Sequence, residues 1–195
     1  LDSVHIFSNM RHLGRIGLFV RTIKKFLQYL KRQYPGPSGF GRLEKSLRDR
    51  YLSKEEGSVF SMVKPSETSK TLQNLAEDLF SIIRCYRDDP KLTSMKYYKL
   101  MLRLLEEQCI VGNDQDDGEK ITIKPNREVP SDSLQNPSDP DATYDGHKGK
   151  GYQVQVAETY RTEDEAPALS LITHINVEPA HHHDSEALIP AIERT

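Results

Sequence analysis

The sequence predicts an α+β chain, and three observations carry that expectation. Residues 149–177 hold two segments in which apolar and polar side chains alternate. Residues 10–110 carry apolar stripes at three- and four-residue steps. A stretch rich in Pro, Asp, Asn, Ser and Gly separates the two at 111–150. Alternation is the strand period and the 3–4 step is the helix period.

The first element is a short strand over 1–7. LDSVHIF sets Leu1, Ser3, His5 and Phe7 against Asp2, Val4 and Ile6, and it is rich in β-formers. Asp2 is out of place there by propensity. It is either a solvating group on a sheet edge or a placed functional group.

A long helix is expected over 10–34. Ile16, Val20, Ile23, Leu27 and Leu30 form its stripe, and Phe19 and Phe26 widen it. Ser8 or Asn9 could cap its start, and Pro35-Gly36-Pro37 ends it. A second helix follows through Leu43, Leu47 and Tyr51. A third covers 68–87, with Leu72, Leu75, Leu79, Ile82, Ile83 and Tyr86 on one side. The fourth covers 90–110, with Asp89 as cap and Pro90 in its first turn. The short link between the last two predicts an antiparallel pair.

Residues 111–150 read as a loop with one brief strand at 120–124. Asp114, Asp116 and Asp117 evoke a calcium loop. Counted from Asp114, however, the sixth and twelfth places hold Glu119 and Pro125 instead of Gly and Glu. The hairpin then sets Tyr152, Val154 and Val156 against Gln153 and Gln155 in its first strand. In its second, Leu169, Leu171, Ile175 and Val177 oppose Ser170, His174 and Asn176. A two-stranded hairpin needs a third strand or a helix over its apolar face. Asp184 or Ser185 caps a final short helix with Leu188, Ile189 and Ile192. His181-His182-His183 with Asp184 invites a metal reading, but adjacent side chains in a strand or loop point apart.

Charge is segregated along the chain. Residues 1–110 hold twenty Lys/Arg against twelve Asp/Glu, and 111–195 hold seven against seventeen, within a net charge of -2. Between 11 and 50 there are eleven basic residues and two acidic. Such a stretch is either a solvated helix face or a surface for DNA phosphates, each contact adding salt-dependent affinity. The candidate contacts are Arg11, Arg15, Arg21, Lys24, Lys25, Lys31, Arg32, Arg42, Lys45 and Arg48. Cys85 and Cys109 lack metal-ligand spacing, which points to a reduced, intracellular protein. No apolar run approaches the roughly 20 residues of a membrane span. There is no GxGxxG, P-loop or nucleophile elbow. The chain opens on Leu1, so it is expected to be part of a longer or processed protein.

The ordered elements SDPDATYDGHKGKGYQVQVAET and ITHINVEPAHHHDSEALIPAIE resemble the central part of bacterial insertion-sequence transposases of the DDE type. In that family a DPDA element precedes a strand beginning GY. A second strand then turns through a TPA…HDS.AL pattern into a helix. The matching residues are Asp139-Pro140-Asp141-Ala142, Gly151-Tyr152, Glu178-Pro179-Ala180 and His183-Asp184-Ser185. The opening LDSVHIFSNMR is similar to the family's first catalytic strand, where an acid precedes Ser or Thr. The resemblance covers both ends of the chain and leaves the helical stretch as an insertion.

It implies an incomplete, RNase-H-like mixed sheet with a large α-helical insertion. Residues 1–7 would be the central first strand, and the hairpin at 151–178 the next two. The parts would be 1–7, a basic helical module at 8–110, a linker at 111–150, and 151–195. It also implies two-metal phosphoryl transfer. Three carboxylates hold two Mg²⁺ (or Mn²⁺) ions roughly 4 Å apart, which activate the attacking group and stabilise the leaving oxygen. Asp2 would be the first acid and a metal ligand. The family's second and third acids fall on a later strand and helix, so this chain is expected to be inactive alone. The implied partners are DNA and, in the full-length protein, further copies of itself, with no membrane and no small-molecule substrate. The implied setting is cytoplasmic, at a bacterial nucleoid. A non-catalytic DNA-binding or assembly remnant is the alternative, and a His-ligated metalloprotein a third.

Overall fold

A computed structural model of the protein describes residues 2–7, 13–52, 63–114, 118–159, 169–183, 185 and 189. The chain folds as two compact units, one of Leu1–Met10 with Asp141–Thr195, the other of Arg11–Pro140. The expected caps Ser8 and Asn9, Arg11, and most of the expected final helix lie outside the described residues.

The inserted unit is mainly helical: α1 (Arg15–Gln33), α2 (Lys45–Leu52), α3 (Thr68–Tyr86), α4 (Pro90–Thr93) and α5 (Lys96–Gln108). The apolar stripes read from the sequence are its core. Phe19, Ile23, Phe26, Leu27 and Leu30 of α1 are fully buried with Leu79 and Ile82 of α3 and Met101 and Leu104 of α5. Phe26 sits between two tyrosines, with ring centroids 5.7 Å from Tyr86 and 6.0 Å from Tyr98, both tilted to 63°. Aromatic edges meeting faces add to the stabilisation from burial. Both buried hydroxyls are satisfied: Tyr86 donates to the Gly39 carbonyl (2.8 Å) and Tyr98 to that of Ile83 (2.9 Å).

Two helix boundaries differ from expectation. α1 begins at Arg15, after Gly14, which offers no side-chain cap. The expected single helix over 90–110 is two. Asp89 caps α4 by accepting from the Lys91 and Leu92 amides, and Pro90 takes the first turn as anticipated. The helix then breaks at Ser94, whose hydroxyl donates to the Lys91 carbonyl (2.9 Å). Such local bonds compete with helix continuation.

The stretch at 111–150 is not a plain linker. Helix α5 stops at Gln108, and β2 (Cys109–Asp114) pairs antiparallel with β3 (Gly118–Ile123). Ile110, read as the end of a helix, is β-branched and favours the strand, as does Val111, read as the start of a loop. Ile121 joins the helical core, and its carbonyl accepts from Gln73 of α3 at 2.7 Å. The segment after β3 is tied to α5. Arg103 donates to the carbonyls of Pro140 and Asp132, each at 2.8 Å, and Glu107 accepts from the Leu134 amide at 2.7 Å.

The second unit is a small sheet of β1 (Asp2–Phe7), β4 (Thr143–Asp145), β5 (Gly149–Glu158) and β6 (Ile172–Pro179). Strand β5 lies between β1 on one side and β6 with β4 on the other. Every pairing is antiparallel, where a mixed sheet was expected. Strand β1 is at the edge of the described sheet and not at its centre. A parallel partner is what would make the sheet mixed, and none of the described strands is one.

The faces follow from register. Val4 sits opposite Val154 and Val154 opposite Val177, while His5 sits opposite Gln153 and Gln153 opposite Glu178. The hairpin's alternation is as read over Tyr152–Val156 and Ile175–Val177, while Leu169 and Leu171 precede β6; on the apolar face Val154 is buried, but most of the burial is on the polar face. Gln153 and Gln155 are 0% and 1% exposed, whereas Val4, Ile6, Ile175 and Val177 are 49–59% exposed. Alternation assigns side chains to faces; it does not say which face the chain covers. Lys148 covers part of the polar face, its ammonium 2.8 Å from the Gln153 amide oxygen. An Ile175→Thr change should therefore shift unfolding free energy by no more than about 0.5 kcal/mol. A loss of 2 kcal/mol or more in urea denaturation, the scale of a core deletion, would contradict the exposed assignment.

Candidate functional site

Asp2 stands at the start of the edge strand β1, exposed, opposite Val156. Its Oδ1 accepts from the Ser3 amide at 2.8 Å. Among the described residues no group of three His, Cys, Asp or Glu side chains is placed to hold a metal ion. A two-metal centre needs several converging carboxylates. The described residues supply Asp2 without such a set, so no metal-dependent step follows from them.

The three histidines have separate polar neighbours, although the rings of His181 and His182 meet edge to face with centroids 4.6 Å apart. His181 Nδ1 lies 3.0 Å from the Thr143 hydroxyl, His182 Nδ1 4.0 Å from Glu178, and His183 Nδ1 2.9 Å from the Ser185 hydroxyl. His181 and His183 each hydrogen-bond a different hydroxyl and His182 only approaches Glu178, which is ordinary turn chemistry after β6.

The basic residues separate into two kinds. Arg15 is structural. Its Nε donates to the Gln108 side chain (2.7 Å), one Nη to the Gln108 carbonyl (3.2 Å) and the other to Asn126 (2.8 Å). A cation at the last carbonyls of α5 also suits the helix dipole. Burial holds its guanidinium below the usual arginine value. Arg50 is likewise engaged, chelating Asp78 at 2.8 and 2.6 Å.

Lys24, Lys25, Lys31, Arg32, Arg42, Lys45 and Arg48 make no ion pair among the described residues. Five of them lie over aromatic rings instead. Lys25 is over Tyr97 (5.6 Å), Arg32 over Tyr29 (5.9 Å) and Arg42 over Tyr86 (5.9 Å). Lys31 and Arg48 share Phe40, at 5.9 and 5.1 Å. Cation–π contacts hold a charge in position without neutralising it. On α1, Arg21, Lys25, Tyr29 and Arg32 are spaced by three and four, so they share a face. There Tyr29 meets Tyr97 of α5 at 5.5 Å. Burial first, then the like charges of Arg21 and Lys96, hold the Lys25 ammonium below its usual value. Uncompensated positive charge is thus concentrated on the exposed side of α1. Lys31, Lys45 and Arg48 form a second group around Phe40 in a cleft. The cations are legible in the sequence, but which ring each lies over is not. Phe40 between two glycines in a basic stretch was the available signal.

No helix among the described residues is long and apolar enough to cross a membrane. No family model, curated protein or solved structure matches the chain.

Proposed function

We propose that the chain is part of a DNA transposase of the DDE type, and that its inserted helical unit binds the DNA backbone. The observation that carries the binding half is the set of cations on α1 and α2 that make no ion pair among the described residues and are held over aromatic rings. Phosphates neutralised by such residues release counterions, which gives affinity without sequence preference. The transposase half rests on the ordered resemblance at both ends. It is supported by an acid on β1 and by β5 pairing with both β1 and β6. On this reading a further strand would pair along the outer edge of β1, completing an RNase-H-like sheet. Asp2 would then be one ligand of a Mg²⁺ or Mn²⁺ ion whose remaining ligands the described residues do not supply.

Two measurements on the whole chain test it. Duplex DNA should bind with an affinity that falls linearly in log–log form with salt, at a slope of about 0.9 per phosphate contacted. Binding that is absent at low salt, or indifferent to salt, would remove the DNA reading. Mg²⁺-dependent cleavage should be undetectable, because among the described residues no set of carboxylates joins Asp2. Turnover that Asp2→Ala abolishes would overturn the single-acid account and leave the binding half intact.

A further inference from the structure

We propose that the cleft between the end of α1, the turn at Phe40–Arg42 and the helix α2 is a built seat for one phosphate group, and that it takes a phosphodiester of duplex DNA. The cleft holds about 260 Å³ and is lined by Lys31, Phe40, Lys45, Arg48, Asp49 and Leu52. Three cations thus face one space with a single acid. Lys45 and Arg48 are three apart on α2 and so share a face, while Lys31 arrives from α1.

The Nε of Arg48 is occluded from solvent and has no hydrogen-bond partner among the described residues. Buried donors are nearly always paired, so an orphaned one calls for an explanation. The Phe40 ring positions Arg48 and Lys31 but accepts no conventional hydrogen bond from them. A ligand rich in oxygen acceptors would meet the two Nη groups of Arg48 and the two ammoniums, and would reach the occluded Nε only once the Arg48 side chain shifts on the Phe40 ring. The guanidinium fork matches a phosphate in two-point contact, and an ammonium serves it as a point charge. A tetrahedral phosphate also offers oxygens in more directions than a carboxylate, which suits donors coming from two helices.

The floor of the seat is preorganised. The turn before α2 is closed by bonds from the Gly39 amide to the Gly36 carbonyl (3.1 Å), Phe40 to Tyr34 (2.7 Å) and Gly41 to Gly36 (2.9 Å). A Cβ at Gly39 would overlap the Tyr34 carbonyl, so glycine is required for this close approach. From beneath, the Tyr86 hydroxyl holds the Gly39 carbonyl at 2.8 Å. Phe40, and with it the two cations, is therefore fixed before any ligand arrives.

The inference rests on the DNA reading only for the molecule that carries the phosphate. A seat and a diffuse basic field also differ measurably. In a field each cation adds its own increment to the salt slope, whereas in a seat three cations share a phosphate and their losses overlap.

The experiment uses the whole chain, with the exposed Lys70→Gln and Lys99→Gln as controls for simple loss of charge. First, inorganic phosphate is titrated while the Arg48 side-chain ¹⁵Nε resonance is followed. Next, duplex DNA binding is measured across salt for Arg48→Gln, Lys31→Gln, Lys45→Gln and the triple variant. A saturable shift of that resonance is expected with phosphate and not with acetate. Arg48→Gln should weaken DNA binding by about tenfold, the scale of a lost charge-assisted hydrogen bond. The triple variant should lose only about 0.9 of salt slope, the value for one phosphate. If Arg48→Gln fails to fold by circular dichroism, the exposed Lys31→Gln and Lys45→Gln pair carries the same comparison. A phosphate shift without any DNA binding supports the seat and removes DNA as its occupant. No phosphate shift, or three additive slope losses matching the controls, overturns the seat.

Discussion

Phe26→Ala should destabilise the helical unit by about 3–5 kcal/mol, the range for deleting a fully buried phenylalanine. The ring is inaccessible to solvent and meets Tyr86 and Tyr98 edge-on at once. Its loss removes transfer free energy, two aromatic contacts and the filling of a space bounded by α1, α3 and α5. Helices cannot close that space without moving their backbones, so a cavity remains. The effect should reach the surface as well. Tyr86 anchors the Gly39 carbonyl under the Phe40 turn, so a displaced Tyr86 also loosens the cleft. Urea denaturation followed at the helical circular-dichroism band reads the change. A loss under about 1 kcal/mol would mean that the three-ring cluster is not the centre of the core.

Arg15→Ala is the second large expected effect, about 2–3 kcal/mol, and it separates structure from binding within one run of basic residues. The substitution removes three hydrogen bonds, two of them to Gln108. Gln108 is 3% exposed, so its amide oxygen is left unsatisfied in the interior, which costs more than the bond contributed. Arg15→Lys should not rescue, because one ammonium cannot span the side chain and carbonyl of Gln108 together with Asn126. The salt slope for DNA should be unchanged. A stable Arg15→Ala protein with a diminished slope would place Arg15 among the phosphate contacts instead.

Much of the fold was legible where one period ran long enough. The stripes of α1 and α3 matched the buried residues closely, and Asp89-Pro90 marked a helix start that the structure has. What escaped reading depended on competition between neighbours. Cys109 continues a helical stripe on paper and Ile110 ends the expected helix, yet they pair with Ile123 and Thr122 across β2 and β3. Pairing partners are non-local and leave little trace in a window. The candidate site was half legible for the same reason. A list of cations is visible in any sequence, whereas their partners are not. Arg15 and Arg48 look alike in the sequence. One grips the end of α5; the other lies over Phe40 with an orphaned donor.

The pairing of β1 with β5 also has a consequence in time. Ribosomes deliver β1 first and its partner only after the whole inserted unit, on the order of ten seconds later at ordinary synthesis rates. Through that interval an alternating strand with Val4, Ile6 and Phe7 waits without hydrogen-bond partners. An unpaired strand edge is where nascent chains adhere to one another. Folding of the helical unit shortens the loop still to be closed before β1 meets its partner. Slowed translation inside residues 11–140 should therefore lower the yield of soluble protein more than the same pause after β5.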